Sequence, residues 1–251
     1  MDITKNFDDL KLYRGNEYVI NENISIRQPT IGEICDYNEI KYFQMIRVLC
    51  YVGADLKWQL DDLGIDYTQI DDFTLFATML AKNFNTRHTS IIFGDTLDFS
   101  KMELKIDEKL QDIVLVQMLR NGDCIKIDRY VYTVMVGVLR KIHRFMRNNE
   151  IPGNEATRKV LIEDAREEYE ENKEKKPKAF LFPLVSAMVN SEGFKRDDVT
   201  VFNMKIFPFM DSVSRIAKIK NADLKLYSGY SGFGIDLKKI DKEELNWIGE
   251  L

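Results

Sequence analysis

Two histidines and three cysteines are the soft metal ligands and ready nucleophiles of this chain. His88 and His143 have no Cys, His or carboxylate at the spacing of a zinc site. Cys35, Cys50 and Cys124 are odd in number and widely spaced, which fits neither a disulfide framework nor a Cys-x-x-Cys site. Free thiols in a reducing cytosol are the expectation. Paired carboxylates at Asp61-Asp62 and Asp71-Asp72 could serve acid–base chemistry or a magnesium ion. Both pairs fall where helix ends or exposed faces are expected, and acidic residues near helix N-termini are favoured electrostatically without any catalytic role. Ser186, Ser191, Ser212 and Ser214 lack a nucleophile-elbow context. Gly229, Gly232 and Gly234 form GYSGFG, which misses the dinucleotide pattern, follows a helix rather than a strand, and reads as a hinge. These residues predict no catalytic group, no metal, no cofactor and no enzyme. One cluster is left over. Arg140, His143, Arg144 and Arg147 share a helix face by i,i+3/i+4 spacing, as a phosphate-contacting surface would require. A cationic last turn favoured by the helix dipole is the preferred account of them.

The elements that must position these groups follow from the wider pattern. The chain has 251 residues, 45% hydrophobic and 31% charged, enough to bury a sizeable core without staples. Its formal net charge of -5 gives no global reason to bind nucleic acid or an anionic membrane. The N-terminus lacks a signal-peptide apolar stretch, and no run approaches the roughly 18 apolar residues of a membrane span. A cytoplasmic protein is expected.

Short β-rich runs at Tyr18–Ile20 and Ile24–Ile26 flank an Asn-containing turn and predict a hairpin. Thr30 with Glu33 is a capping box, opening a helix over 31–52. Further helices are predicted at 56–63, closed by Gly64, and at 69–83, begun by Asp66 or Thr68. Others are expected at 108–119, at 129–148 with Asp128 as its cap, at 155–175, and from Asp197 or Asp198 to about Tyr227, kinked by Pro208 or split near Phe207. Thr89–Phe93, Leu97–Phe99, Met102–Ile106 and Cys124–Ile127 are β-prone. The fold class is therefore mainly α (α+β): a helical domain with a small N-terminal β-hairpin and room for one further short strand pair. The organisation is 1–150 as hairpin plus helical domain, 151–178 as a charged helix or linker, and 179–251 as a helical segment with a docking tail, free to share one core with 1–150. The charged helix reads REEYEENKEKK in its second half and must be solvent-exposed.

The last third is the richest in aromatics and Met. Phe180, Phe182, Phe207, Phe209, Met210, Tyr230, Phe233 and Trp247 are the candidate partner-binding anchors, because interface cores favour these side chains.

Several phrases carry a resemblance. They are QPTIGEICDY (28–37), LDDLGIDY (60–67), DDFTLF (71–76), IFGD (92–95), LDF (97–99), FMDSVSRI (209–216), YSGF (230–233) and ELNW (244–247). Together they resemble uncharacterised tail-module or morphogenesis proteins of tailed bacteriophages and prophages of Gram-positive bacteria. The resemblance implies a virion component or a tail assembly chaperone that holds tape-measure or tail-tube subunits. It also implies partners among other phage tail and virion proteins, self-association included, no membrane, and action in the host cytoplasm or the virion. It transfers no functional residue. The competing expectation is nucleic-acid binding through the Arg140–Arg147 face.

Overall fold

The computed structural model describes residues 8–231, 234, 236 and 239–249. It is 55% helical with 11% strand, mainly α with two small antiparallel sheets.

The N-terminal third follows its local signals closely. Asp8 caps α1 (Asp9–Tyr13) by accepting from the Lys11 N–H. β1 (Tyr18–Asn21) and β2 (Ile24–Ile26) form the predicted hairpin, its turn held by Asn21 Oδ1, which accepts from the Asn23 and Ile24 N–H groups at 2.9 Å. Thr30 and Glu33 complete their reciprocal capping box at the start of α2 (Ile31–Tyr37). The single helix expected over 31–52 is two. Asn38 sits at φ 90°, breaks the first, and caps α3 (Glu39–Leu49) through its own side chain. Asn is among the few residues that tolerate positive φ and cap helices, so one residue does both.

α4 (Lys57–Asp62) is closed by Gly64 at φ 71°, as predicted. The next helix starts later than expected. Asp71, rather than Asp66 or Thr68, caps α5 (Asp72–Leu75), and the chain continues through a π turn at Phe76–Leu80 and a 3-10 turn at Ala81–Asn83.

Three segments change type. Thr89–Phe93 belongs to α6 (Thr86–Phe93), because Asn85 caps it and lets Thr89, Ile91, Ile92 and Phe93 turn inward. Residues predicted as a helix over 108–119 instead form a strand. β3 (Glu103–Asp107), β4 (Asp112–Met118) and β5 (Cys124–Ile127) make a three-stranded antiparallel sheet in that order. Asp107 accepts from the Lys109 and Leu110 N–H groups and Gln111 takes φ 51°, so the charged stretch is a hairpin turn. Ile113, Val114 and Val116 then favour the pleated form. Leu97–Phe99 leads into a 3-10 turn at Phe99–Lys101 rather than a strand.

α7 (Arg129–His143) is capped by Asp128, whose carboxylate accepts from Val131 N–H at 2.8 Å. It stops five residues before the expected end, at Arg144, which adopts a left-handed conformation. α8 (Glu155–Asn172) is the charged helix. It is exposed but not suspended. Ile162 is buried, the Tyr169 ring lies 5.0 Å from Trp58, and Arg166 pairs with Asp62 at 2.7 Å while lying over Trp58. The segment expected as a linker is thus strapped to α4.

α9 (Leu181–Val189) precedes a 3-10 turn at Thr200–Asn203, whose first N–H donates to the Asp197 carboxylate at 2.7 Å. α10 (Ile206–Tyr230) begins only after it, so the expected long helix is divided at Met204–Lys205, just before Phe207, and runs without a break from there. Pro208 lies in its first turn, where its missing N–H has no intrahelical partner to lose. α11 (Lys242–Leu245) follows.

The start of α10 is stitched into the N-terminal unit. Ile31 N–H donates to Met204 C=O at 2.9 Å, and Ile206 N–H donates to Pro29 C=O at 3.0 Å. Ile206, Phe207, Phe209 and Met210 enter the same buried cluster as Ile26, Ile34, Tyr42, Leu49 and Leu139, and so do Ile162, Leu181 and Met188. One core therefore serves both sides of the 151–178 segment. Phe209 is fully buried within it. Phe209→Ala should cost about 3–5 kcal/mol of unfolding free energy through lost burial and a residual cavity. Tyr230→Ala, on the exposed end of the same helix, should change it by about 0.5 kcal/mol or less. Urea denaturation followed by circular dichroism measures both.

Candidate functional site

The basic end of α7 was the sequence's best candidate for chemistry, and the fold spends it on itself. Arg140 reaches across to α3 and donates from Nη2 to the Cys50 carbonyl at 2.6 Å. Arg144 pairs with Asp211 of α10 at 2.6 Å, with its guanidinium 5.4 Å from the Phe207 ring centre. Arg147 forks onto Asp72 at about 3.1 Å and donates to Asn149 at 2.6 Å. The four residues do not form a free cationic face. They tie α7 to α3, α5 and α10, and the left-handed turn at Arg144 separates Arg147 from the helical spacing that grouped them in the sequence.

His143 is buried. Its Nδ1 faces the Leu139 carbonyl at 2.7 Å, and a carbonyl can only accept, so Nδ1 carries the proton. Nε2 then accepts from the Tyr42 hydroxyl at 2.6 Å. Burial lowers the imidazole to about 4, against the hydrogen bond to Leu139, which works the other way. Burial likewise pushes the Tyr42 hydroxyl well above its usual range. At neutral pH this is an uncharged pair closing the core, with Phe43 and Phe145 edge-on or tilted around it.

The remaining candidates resolve in the same way. Burial pushes the Cys50 thiol up to about 12, and partial burial together with Glu39 and Asp36 raises that of Cys35, so neither is poised as a thiolate. Asp71 caps α5 and pairs with Arg129, Asp72 with Arg147, and Asp62 with Arg166. Among the described residues, no group of three or more His, Cys, Asp or Glu is placed to hold a metal ion. No described helix is long and apolar enough to cross a membrane.

The aromatic anchors divide into three groups. Phe207, Phe209 and Met210 are core side chains and offer nothing to a partner. Phe180 is half-buried, its ring 4.6 Å from that of Phe43. Phe182, Tyr230 and Trp247 are exposed at 71%, 81% and 47%. Phe233 lies outside the described residues.

The structure adds Leu224, Tyr227 and Ile248 to the exposed set, at 70%, 83% and 72%. Leu224, Tyr227 and Tyr230 recur every three residues along the second half of α10, a spacing that could have been read from the sequence. α11 and the residues after it lie along α10. Arg215 donates to the Trp247 and Gly249 carbonyls at 2.5 and 2.8 Å, and Lys225 pairs with Glu244. A cleft of about 620 Å³ is lined by Asp223, Leu226, Tyr227, Tyr230 and Ser231. The result is an aromatic ledge suited to shape and apolar contact. No protein-family model matches the chain, and no curated protein or solved structure matches it.

The His143–Tyr42 pair has a measurable consequence. The folded imidazole lies near 4 and a free one near 6.5, so the folded state binds fewer protons between these values. Its contribution is fully present above pH 6.5 and is lost as pH falls towards 4. The loss should reach about 3 kcal/mol. Urea midpoints measured from pH 7.5 to 4 should show this decline, and His143→Gln should flatten it.

Proposed function

We propose that this chain is a non-enzymatic tail-module protein of a tailed bacteriophage, acting through protein–protein contact at the α10–α11 ledge. The observation that carries the reading is the exposure of Leu224, Tyr227, Tyr230, Trp247 and Ile248 on the arm beyond the core. Tyrosine and tryptophan are the side chains that dominate binding energy in protein interfaces, being large, amphipathic and stiff. The resemblance of the phrases from Gln28 to Trp247 to tail-module proteins gives the partner class: tail-tube, tape-measure or other virion subunits. The role that fits a ledge built on a stable helical body is that of an assembly chaperone in the host cytoplasm. A component retained in the virion is the alternative within the same class.

Nucleic-acid binding through Arg140, His143, Arg144 and Arg147 is the weaker reading, since the three arginines have partners within the chain and the histidine is buried.

Co-precipitation of tail proteins from phage-infected cells tests the reading. Tyr230→Ala and Trp247→Ala should each weaken capture about tenfold or more, which corresponds to about 1.4 kcal/mol, without shifting the melting temperature. Equal capture by wild type and both variants would remove the ledge as a binding surface. Mass spectrometry of purified particles then separates the two roles: a chaperone is absent from them and a structural component is present in stoichiometric amount.

A further inference from the structure

β3 is the outer strand of its sheet, and Glu103, Leu104, Lys105 and Ile106 are all exposed along it. No other described strand pairs with its far side. Leu104 and Ile106 stand opposite Leu115 and Ile113 of β4, so they lie on the sheet face that turns towards the core yet stay 44% and 75% exposed. Glu103 and Lys105 share the other face, where their side chains meet at 3.1 Å. Open, apolar strand edges are templates for another strand, and charges placed on them usually block pairing. Here the charges alternate in sign, so their effect depends on register.

We infer that β3 pairs antiparallel with β3 of a second copy of this chain, about a two-fold axis at Leu104. In this register Glu103 of each copy faces Lys105 of the other and Leu104 faces Leu104, while Ile106 comes beside Met102, whose backbone is extended and whose side chain is buried in its own core. The two sheets become one of six strands. Shifting the axis to Lys105 sets lysine against lysine and Glu103 against Asp107, so like charges repel at every polar pair. Shifting it to Ile106 runs off the strand, sets Leu104 against Glu108, and asks for the Asp107 carboxylate, which already accepts from two turn N–H groups. Charge pattern and strand extent together select one register. A two-fold pairing uses the edge of both copies and leaves no β3 edge for further growth. This interface is built from different elements than the α10–α11 ledge and stands or falls independently of it.

Sedimentation velocity of the full chain tests the inference. Wild type should dimerise in the micromolar range and weaken as salt rises. Glu103→Lys sets a new lysine against Lys105 of the other copy, and Lys105→Glu sets a new glutamate against Glu103; each variant alone should sediment as a monomer. Mixed together, the two variants should form a heterodimer, and the double variant E103K/K105E should regain the homodimer. Unchanged melting temperatures for these exposed substitutions confirm that folding is not the cause. A wild type that stays monomeric into the high micromolar range overturns the proposal. So do single variants that dimerise as well as wild type, or a mixture that fails to associate.

Discussion

The seating of α10's first turn in the core is the constraint on which the rest of the molecule depends. Two backbone hydrogen bonds fix it, Ile206 N–H to Pro29 C=O and Ile31 N–H to Met204 C=O. They hold the chain entering α10 against the chain entering α2, where the Thr30–Glu33 box already fixes the backbone. Once that join is made, Ile206, Phe207, Phe209 and Met210 have nowhere to go but inward. Burying aromatic and aliphatic side chains of this size contributes on the order of 1.5–3 kcal/mol each. A C-terminal segment that could have been an independent unit is thereby bound to the start of α2 and to α7.

The same seating explains the fate of the basic residues. With Phe207 and Asp211 placed beside the end of α7, Arg144 can pair with one and lie over the other. Asp72 stands at the N-terminus of α5, where a carboxylate is already favoured, and Arg147 completes it. Arg140 satisfies a carbonyl at the end of α3 that has no helical partner of its own. Each arginine thus meets an acceptor supplied by a different element. An i,i+3/i+4 pattern establishes that side chains share a face, but not whether that face meets water or protein. Only the non-local partners decide this, and none of them lies near 140–147 in the sequence.

What could be read in advance was local. The Thr30–Glu33 box, the Asp128 cap, the Gly64 stop and the Asn21 turn each work through atoms within four residues, so their residue types suffice. β4 failed because Ile113–Val116 is a short apolar run that periodicity alone cannot assign, and the charged residues before it imitate a helix start. α6 failed in the opposite sense: Ile91, Ile92 and Phe93 look β-prone, but the Asn85 cap and burial on one side prevail. The anchors were right in type and only partly in place. Aromatic content marks Phe209 and Tyr230 alike, and which one meets solvent depends on where α10 leaves the core.

That exit point has a geometric basis. At 1.5 Å per residue, the 25 residues of α10 extend about 37 Å. The core engages mainly the first turn, and beyond it Ala222 is the only other α10 side chain that is buried. The distal half therefore gains little from tertiary packing, yet it carries tyrosines where a solvated helix would carry charges. α11 braces one flank through Lys225, the residues after it hold Arg215, and together they leave Leu224, Tyr227 and Tyr230 exposed. Polar and Tyr–Leu pairs at i,i+3/i+4 each stabilise a helical arm by only about 0.2–0.5 kcal/mol, so replacing its aromatics by polar pairs costs the helix little. Aromatic side chains at a three-residue repeat on this arm are thus unnecessary for the fold of the chain alone, and they become favourable when another apolar surface removes them from water.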